Sequence, residues 1–457
     1  MFDPEIADIR FGTGLSPRHK PPQSADAMLN GLVGPDAMGA AFPIAPFDDY
    51  RQTIVDFYAA RRIERRAKTD TERDAARKDR RQVNRAAQKA FAEMIRATLL
   101  RRINTTTGFR ERLAFFWSDH FTAKGKANVV RFATSPYIEE AIRPNIAGKF
   151  EDLLIASVTH PLMLHFLDQN KSVGPNSKRG KRRDAGLNEN LAREVLELHT
   201  LGVDGPYTQA DVRQLAELFA GLSMDSSSQF SFNRSFVEPG VETVLGRDYG
   251  RAGKLEDVHA VLRDLARHPA TAGHIARKLA QHFVGDDPDP DLVAHMASAY
   301  VDSDGDLLRV YVALLDHPAS WVTAAQNVKP PIDFVASALR ALDPPAAQLT
   351  GRRAPNMRDL ILTPLQIMGQ PWEAPEGPDG WPEDNSYWIA PQFLAARLAW
   401  ALSAPQAYRP DLPDPRDFAR TALGKRLPAD VAFAASAAEN RWEGIALVLA
   451  APAFQKH

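Results

Sequence analysis

Two carboxylates one helical turn apart, Glu194 and Glu197, lie in the run Asn188-Glu189-Asn190-Leu191-Ala192-Arg193-Glu194-Val195-Leu196-Glu197-Leu198-His199-Thr200-Leu201-Gly202. Paired carboxylates joined by an imidazole from another helix can hold a divalent metal ion or serve as general acid and base. Asn188 suits an N-cap and Gly202 the position after a helix end, so residues 188–202 predict one self-contained helix. At ~100° per residue, Asn190, Glu194 and Glu197 fall within about 60° of one another, while His199 is turned roughly 160° from Glu197. Glu197 and His199 therefore cannot grip one ion from a regular helix, and the imidazole must come from elsewhere. His120, which ends an apolar stripe beside Asp119, is the candidate. The expected catalytic set is His120, Glu194 and Glu197. The same three would be the ligands if the cofactor is a divalent metal ion, and Asn190, Arg193 and Trp381 are the expected substrate contacts.

The same residues also have a structural reading. Arg193 sits four residues before Glu197 and can pair with it, and Glu194 can bond the backbone of a neighbouring helix. Perturbed carboxylates arise in such networks as well as in active sites. Elsewhere, Asp302-Ser303-Asp304-Gly305-Asp306 looks like a calcium loop, but its glycine is fourth and its twelfth residue is Ala313. An EF-hand needs glycine sixth and a bidentate Glu twelfth, so this segment reads as a turn in which Asp304 or Asp306 caps the next helix. No Walker loop, GxGxxG, GxSxG or HExxH occurs, which removes the usual sequence support for nucleotide-binding, hydrolase and zincin chemistry.

The elements that would position these groups are almost all helical. Phe109, Leu113, Phe116, Trp117 and His120 form one stripe, predicting a helix over 109–121. Residues 50–102 contain no proline and are dense in Ala, Arg, Lys, Glu and Gln, which predicts long exposed helices. The mixed charges of 61–81 read as a solvated, ion-paired face. His-Pro occurs at 160–161, 268–269 and 317–318 between apolar runs. Each predicts a helix break, proline opening the next helix and histidine capping the carbonyls of the one before. A β-hairpin is expected over 229–246, turning at Pro239-Gly240. Residues 369–391 read as a long ordered loop carrying Trp372, Trp381 and Trp388, and 171–186 as a basic surface loop. The fold class is mainly α: a multi-helix globular bundle with that one hairpin. Residues 1–47 are expected as an extended arm with a short helix near 25–32, and 48–457 as a single large helical domain, with a sub-boundary near 223–255.

Composition sets the outer limits. The chain has 457 residues, 44% hydrophobic and 25% charged, with a formal net charge of −1, so neither disorder nor a polyanionic partner is implied, and no nucleic acid is expected. Cysteine is absent, which excludes disulfides, thiolate metal sites and cysteine nucleophiles. No run reaches the ~20 apolar residues of a membrane span, and Met1–Leu29 has no secretory h-region. The cytoplasm is therefore the expected location, with export by another route left open.

A resemblance then becomes specific. Arg10-Phe11-Gly12, Phe116-Trp117-Ser118-Asp119-His120-Phe121, the 188–202 block and Tyr207-Thr208-Gln209-Ala210-Asp211-Val212 resemble the domain of unknown function 1800 family. So do His268-Pro269-Ala270, Lys278-Leu279-Ala280-Gln281-His282-Phe283, Gly305-Asp306-Leu307, Met368-Gly369-Gln370 and Gly380-Trp381-Pro382, in family order along nearly the whole chain. The resemblance implies a bacterial protein without an established activity. It also implies a partner: a sulfatase-like protein of the domain of unknown function 1501 family, often encoded alongside. Three positions depart from the family pattern. Asp119 stands where Asn is common, Val237 where His often precedes Glu-Pro-Gly, and Phe166 replaces Tyr. The loss of the hairpin histidine weakens any metal site that would use it. Two functions follow: a metal-dependent or acid/base enzyme with a Glu/His site between helices, or a non-catalytic helical scaffold that binds a protein partner through its charged helices and tryptophan loop.

Overall fold

Asp3 starts the fold by accepting the backbone N–H groups of Glu5 and Ile6 at 2.8 and 3.1 Å, and Pro4 takes the first helical position. The resulting helix α1 (Pro4–Arg10) is buried, not part of an extended arm. The fully buried Arg10 donates to the carbonyls of Ser320, Val322 and Ala324 at 2.6, 2.7 and 3.1 Å, and Phe11 packs among Phe109, Phe283 and Trp321. The short helix expected near 25–32 forms over Ala25–Val33, but the start of the chain differs from expectation because apolar side chains at 6, 7, 9 and 11 find a core that local sequence does not display. The computed structural model describes residues 1–182, 186–324, 326–350 and 356–457. Arg183 of the basic loop therefore lies outside the described residues.

The proline-free stretch forms two neighbouring helices, α2 (Phe47–Arg66) and α3 (Asp70–Asn104), the second opened by a Thr69/Glu72 capping box. Glu64 pairs with Arg77 and Arg80 at 3.3 and 2.7 Å, the ion-paired face expected. Helix α4 (Gly108–His120) follows and is buried over most of its length. Helix α5 (Asn190–Glu194) does not run on regularly: Val195–Thr200 is a π-helical turn, closed by Leu201 N–H to Leu196 O at 3.0 Å. Helix α6 (Gln209–Phe219) opens with the expected Thr208/Asp211 box.

The predicted hairpin resolves into two. Strand β1 (Leu222–Met224) pairs antiparallel with β2 (Phe230–Phe232), and β3 (Glu242–Val244) with β4 (Arg247–Tyr249). Pro239-Gly240 thus separates two ribbons and does not turn one. The strands are three residues each, and the hydrogen-bonded turns lie at Asp225–Gln229 and Val244–Arg247.

The histidine of each His-Pro pair acts on the helix after it. Ring Nδ1 of His160, His268 and His317 accepts the N–H of Leu162, Ala270 and Ala319 at 3.1, 3.1 and 3.3 Å, an N-cap and not a cap on the preceding carbonyls. The reason is geometric: His adopts the extended N-cap conformation at φ near −70 to −80°, and Pro at N1 leaves the next N–H unsatisfied. One helix so opened is α7 (Pro269–Phe283). Asp306 caps its own helix as expected, Oδ1 accepting Leu308 N–H at 3.0 Å.

After Trp321 the chain changes core. The first apolar cluster runs from Ile6 to Trp321. The second joins Ile95, Leu99 and Ile103 of α3 to α8 (Pro331–Leu342), α9 (Pro391–Tyr408) and the C-terminal helices to Phe454. Helix α3 serves both, since Met94 and Ala97 face the first cluster. The fold is mainly α, and the described residues hold two small antiparallel sheets. No helix among them is long and apolar enough to cross a membrane.

Candidate functional site

Helix α4 ends on Ser118-Asp119-His120, and each of the last two residues enters a different polar group. The carboxyl of Asp119 lies beneath the 369–391 loop. Its Oδ1 accepts the backbone N–H of Trp381 at 2.9 Å. Gly380 makes that approach feasible: its φ is +82°, and a Cβ there would come within 2.6 Å of Asp119 Oδ2. Burial, with the neighbouring Glu383 and Asp379 carboxylates, pushes the Asp119 carboxyl up to about 8, against the opposing pull of Lys278 and the Trp381 N–H.

Behind Asp119 runs a buried relay of polar groups. Glu383 meets His282 Nδ1 at 3.0 Å, His282 Nε2 meets Arg112 at 3.2 Å, and Arg112 also binds Asp333 and His457 Nε2. A guanidinium can only donate, so Nε2 of both histidines accepts and the His282 proton sits on Nδ1, facing Glu383. Burial raises Glu383, but His282, Lys278 and Arg112 more than offset this and hold it below the usual carboxylate range.

His120 belongs to a different set. Its Nε2–H donates to the carbonyl of His199 at 3.2 Å, and His274 Nε2–H donates to Leu198 O at 2.9 Å. Both carbonyls lie at the end of the π-helical turn, where helical partners run out, so the two imidazoles cap it. The rings stand 5.7 Å (His120–His199) and 6.1 Å (His120–His274) apart. Burial and then Lys278 press all three below the ordinary histidine range, His199 to about 3 and His274 to about 4, so the imidazoles are neutral. His120 Nδ1 and both ring nitrogens of His199 are buried without a hydrogen-bond partner.

Glu194 and Glu197 do fall together, beside Asp379 and not beside His120. Partial burial, then Glu197 and Asp379, raise the Glu194 carboxyl to about 7. Glu197 is tied to Arg193 at 3.1 Å, and Arg193 further engages Gln209 at 3.0 Å and Glu189 at 3.5 Å. Asn190 is exposed at the helix start. No hydrogen bond or ion pair joins His120 to either glutamate, and among the described residues no three His, Asp or Glu side chains could hold a metal ion. The expected metal set of Glu194, Glu197 and His120 is therefore not assembled. The His120 imidazole is spent on capping the His199 carbonyl at the end of the π-helical turn.

On the other side of Asp119 opens a pocket with space of about 110 Å³, between α3, α4 and the loop. Asp119, Phe115, Gln370, Trp372, Glu373 and Trp381 are on its wall. Glu373 has the left-handed backbone φ of +49° and a carboxyl raised by burial to about 7, although Ser135 Oγ donates to its Oε1 at 2.6 Å. The Ser135 N–H and the Trp372 indole also face this carboxyl, and its Oε2 is buried with no partner in hydrogen-bond geometry. Gln370, 3% exposed, accepts Ile332 N–H on Oε1 at 2.8 Å, and its Nε2 has no partner. Of the pocket's guanidinium groups, Arg101 is answered by Glu139 and Arg143 by Glu111 and Asp36, while Arg102 shares Asp333 with Arg112 and its Nε is buried without a hydrogen-bond partner.

Of the expected residues, Trp381 alone lines this pocket, together with Asp119, noted in the sequence as the neighbour of His120 and as a departure from the family pattern. Glu373 and Glu383 carried no sequence signal beyond lying in the tryptophan loop. Gln370, Lys278 and His282 sit in segments that resemble the family, which was the signal available for them. No curated protein and no solved structure matches the chain. Residues 11–456 match the family described as "Protein of unknown function (DUF1800)", and the chain belongs to that family.

Proposed function

We propose that this protein is a general acid–base enzyme working in the pocket between α3, α4 and the 369–391 loop, with Asp119 as its acid. The observation that carries this reading is a carboxyl raised to about 8 on the wall of a pocket that also holds a second raised carboxyl, Glu373. A proton donor works best when its pKa lies near the operating pH. Asp119 Oδ1 is occupied by the Trp381 N–H, so the proton rides on Oδ2. Once it is given to a substrate, the carboxylate left behind keeps that N–H bond and gains the nearby Lys278 charge. Glu373, near 7, is poised to take a proton. Glu194 and Glu197, the pair first expected to react, remain an outlying acidic pair coupled to the site through Asp379. Difference infrared spectroscopy tests the assignment. A protonated-carboxyl component that persists to pH 8, where the carboxyls near 7 have largely ionised, and that is lost in Asp119→Asn is expected; its absence from the wild type rejects the reading.

A partner-binding scaffold is the second reading, favoured by the outer face of α9. Leu394, Leu398 and Leu402 recur every fourth residue and are 36, 38 and 46% exposed. The sulfatase-like protein implied by the family resemblance is the partner to test, by co-purification with wild type and Leu398→Glu. Equal recovery with both variants, or none with either, would remove this reading.

A further inference from the structure

Resting on the acid–base reading of the same pocket, we infer that its substrate is a neutral, polyhydroxylated ring, a single pyranose-type sugar unit, held between the tryptophans of the loop and the polar edge formed by Gln370 and Glu373. Charge makes the first cut. The guanidinium groups on the wall are each engaged by a carboxylate, Arg101 by both oxygens of Glu139 at 2.5 and 3.0 Å. A phosphate or carboxylate ligand would have to break such pairs, at a cost that buried pairs make large. A cation finds no free anion at pH 6, because Glu139 and Glu111 are held by Arg101 and Arg143 while Asp119 and Glu373 keep their protons. The ligand is therefore uncharged.

The unpaired atoms make the second cut. Gln370 Nε2 is a donor, buried and without a protein partner, and Glu373 Oε2 is a buried carboxyl oxygen with no partner in hydrogen-bond geometry, the Trp372 indole N–H being a nearby donor. Buried polar atoms left unpaired are costly, so they mark where a ligand or ordered water must bond. A hydroxyl both donates and accepts, and adjacent ring hydroxyls can serve the amide and the carboxyl at once. Glu373 has a left-handed backbone conformation that a non-glycine residue rarely adopts, strain of the kind found at ligand clamps.

Shape makes the third. Phe115, Trp372 and Trp381 supply flat apolar surface beside those polar atoms, matching a ring with C–H faces and a hydroxyl rim. The space of about 110 Å³ is several times the ~10–15 Å³ one water needs, enough to take in a small ring.

Titration of the full chain at pH 6 with methyl glucosides, galactosides and mannosides tests this, read by calorimetry and tryptophan fluorescence. Inorganic phosphate, choline and adenosine serve as comparison ligands. Saturable binding of at least one glycoside is expected. Gln370→Glu, which keeps the bond to Ile332 and removes the free N–H, should weaken it about tenfold or more. Trp381→Ala should do the same, and covers the case where the first variant does not fold. Saturation by phosphate, choline or adenosine in place of a glycoside overturns the inference, as does no saturation by any of them or wild-type affinity in both variants. Failure of glycoside binding with the Asp119 infrared band intact rejects the ligand class alone; loss of that band rejects the acid–base reading beneath it.

Discussion

Gly380 and Asp119 lie so close that a methyl group on the first would overlap the carboxyl of the second, at 2.6 Å from Oδ2. The contact joins the end of α4 to the tryptophan loop and sets the orientation of the proposed acid, because the next residue, Trp381, supplies the N–H that holds Oδ1.

Gly380→Ala should therefore displace Asp119 and strain a backbone at φ +82°. A loss of about 1–3 kcal/mol is expected from urea unfolding. The infrared band assigned to Asp119 should shift in the same variant. An unchanged midpoint and band would show that the loop does not position this carboxyl.

Asp119→Asn should be stabilising, and increasingly so as pH rises. The native carboxyl is raised to about 8, while the unfolded one titrates near 3.9. Below about 4 both states are protonated and burial carries no ionisation penalty. Between about 4 and 8 the native state holds a proton that the unfolded state has released, so wild-type stability falls as pH rises, and the penalty is complete above about 8. Thermal unfolding should find the two proteins alike near pH 4 and the Asn variant a few degrees more stable at pH 8. Parallel curves across that range would contradict the raised carboxyl.

Glu197→Gln should lower the Glu194 pKa from about 7, because Glu197 is the largest charged contributor to its rise after burial. Carboxyl-carbon NMR titration of Glu194 reads this directly. A midpoint that does not move would mean that burial alone is responsible.

His268→Ala should cost about 1 kcal/mol, the worth of a helix N-cap, and His268→Asn should recover most of it. Ring Nδ1 accepts the Ala270 N–H at 3.1 Å, a role an asparagine oxygen can fill. Equal destabilisation by both substitutions in urea would argue for packing of the ring over capping.

Much of the architecture was legible locally. The stripe ending at His120, the Thr208/Asp211 box and the proline-free helices each depend on contacts a few residues apart, and each formed as expected. Two local readings failed for want of partners. The hairpin splits because strands Leu222–Met224 and Arg247–Tyr249, outside the window with the turn signal, compete successfully for the strands within it. The 188–202 helix was treated as regular, but the structure has a π-helical turn there, packed against buried imidazoles from α4 and α7.

The sequence by itself determined a helical body, its caps and breaks, and the pairing of Arg193 with Glu197, because these follow from periodicity and spacing within single elements. Only the tertiary structure decided which acidic groups share a pocket. Asp119 and Trp381 are 262 residues apart, and no local pattern encodes their meeting. A carboxyl's chemistry depends on what excludes water from it and which charges face it, and here Glu383 and Asp379 come from a loop that reaches back across the end of α4 and Lys278 from α7.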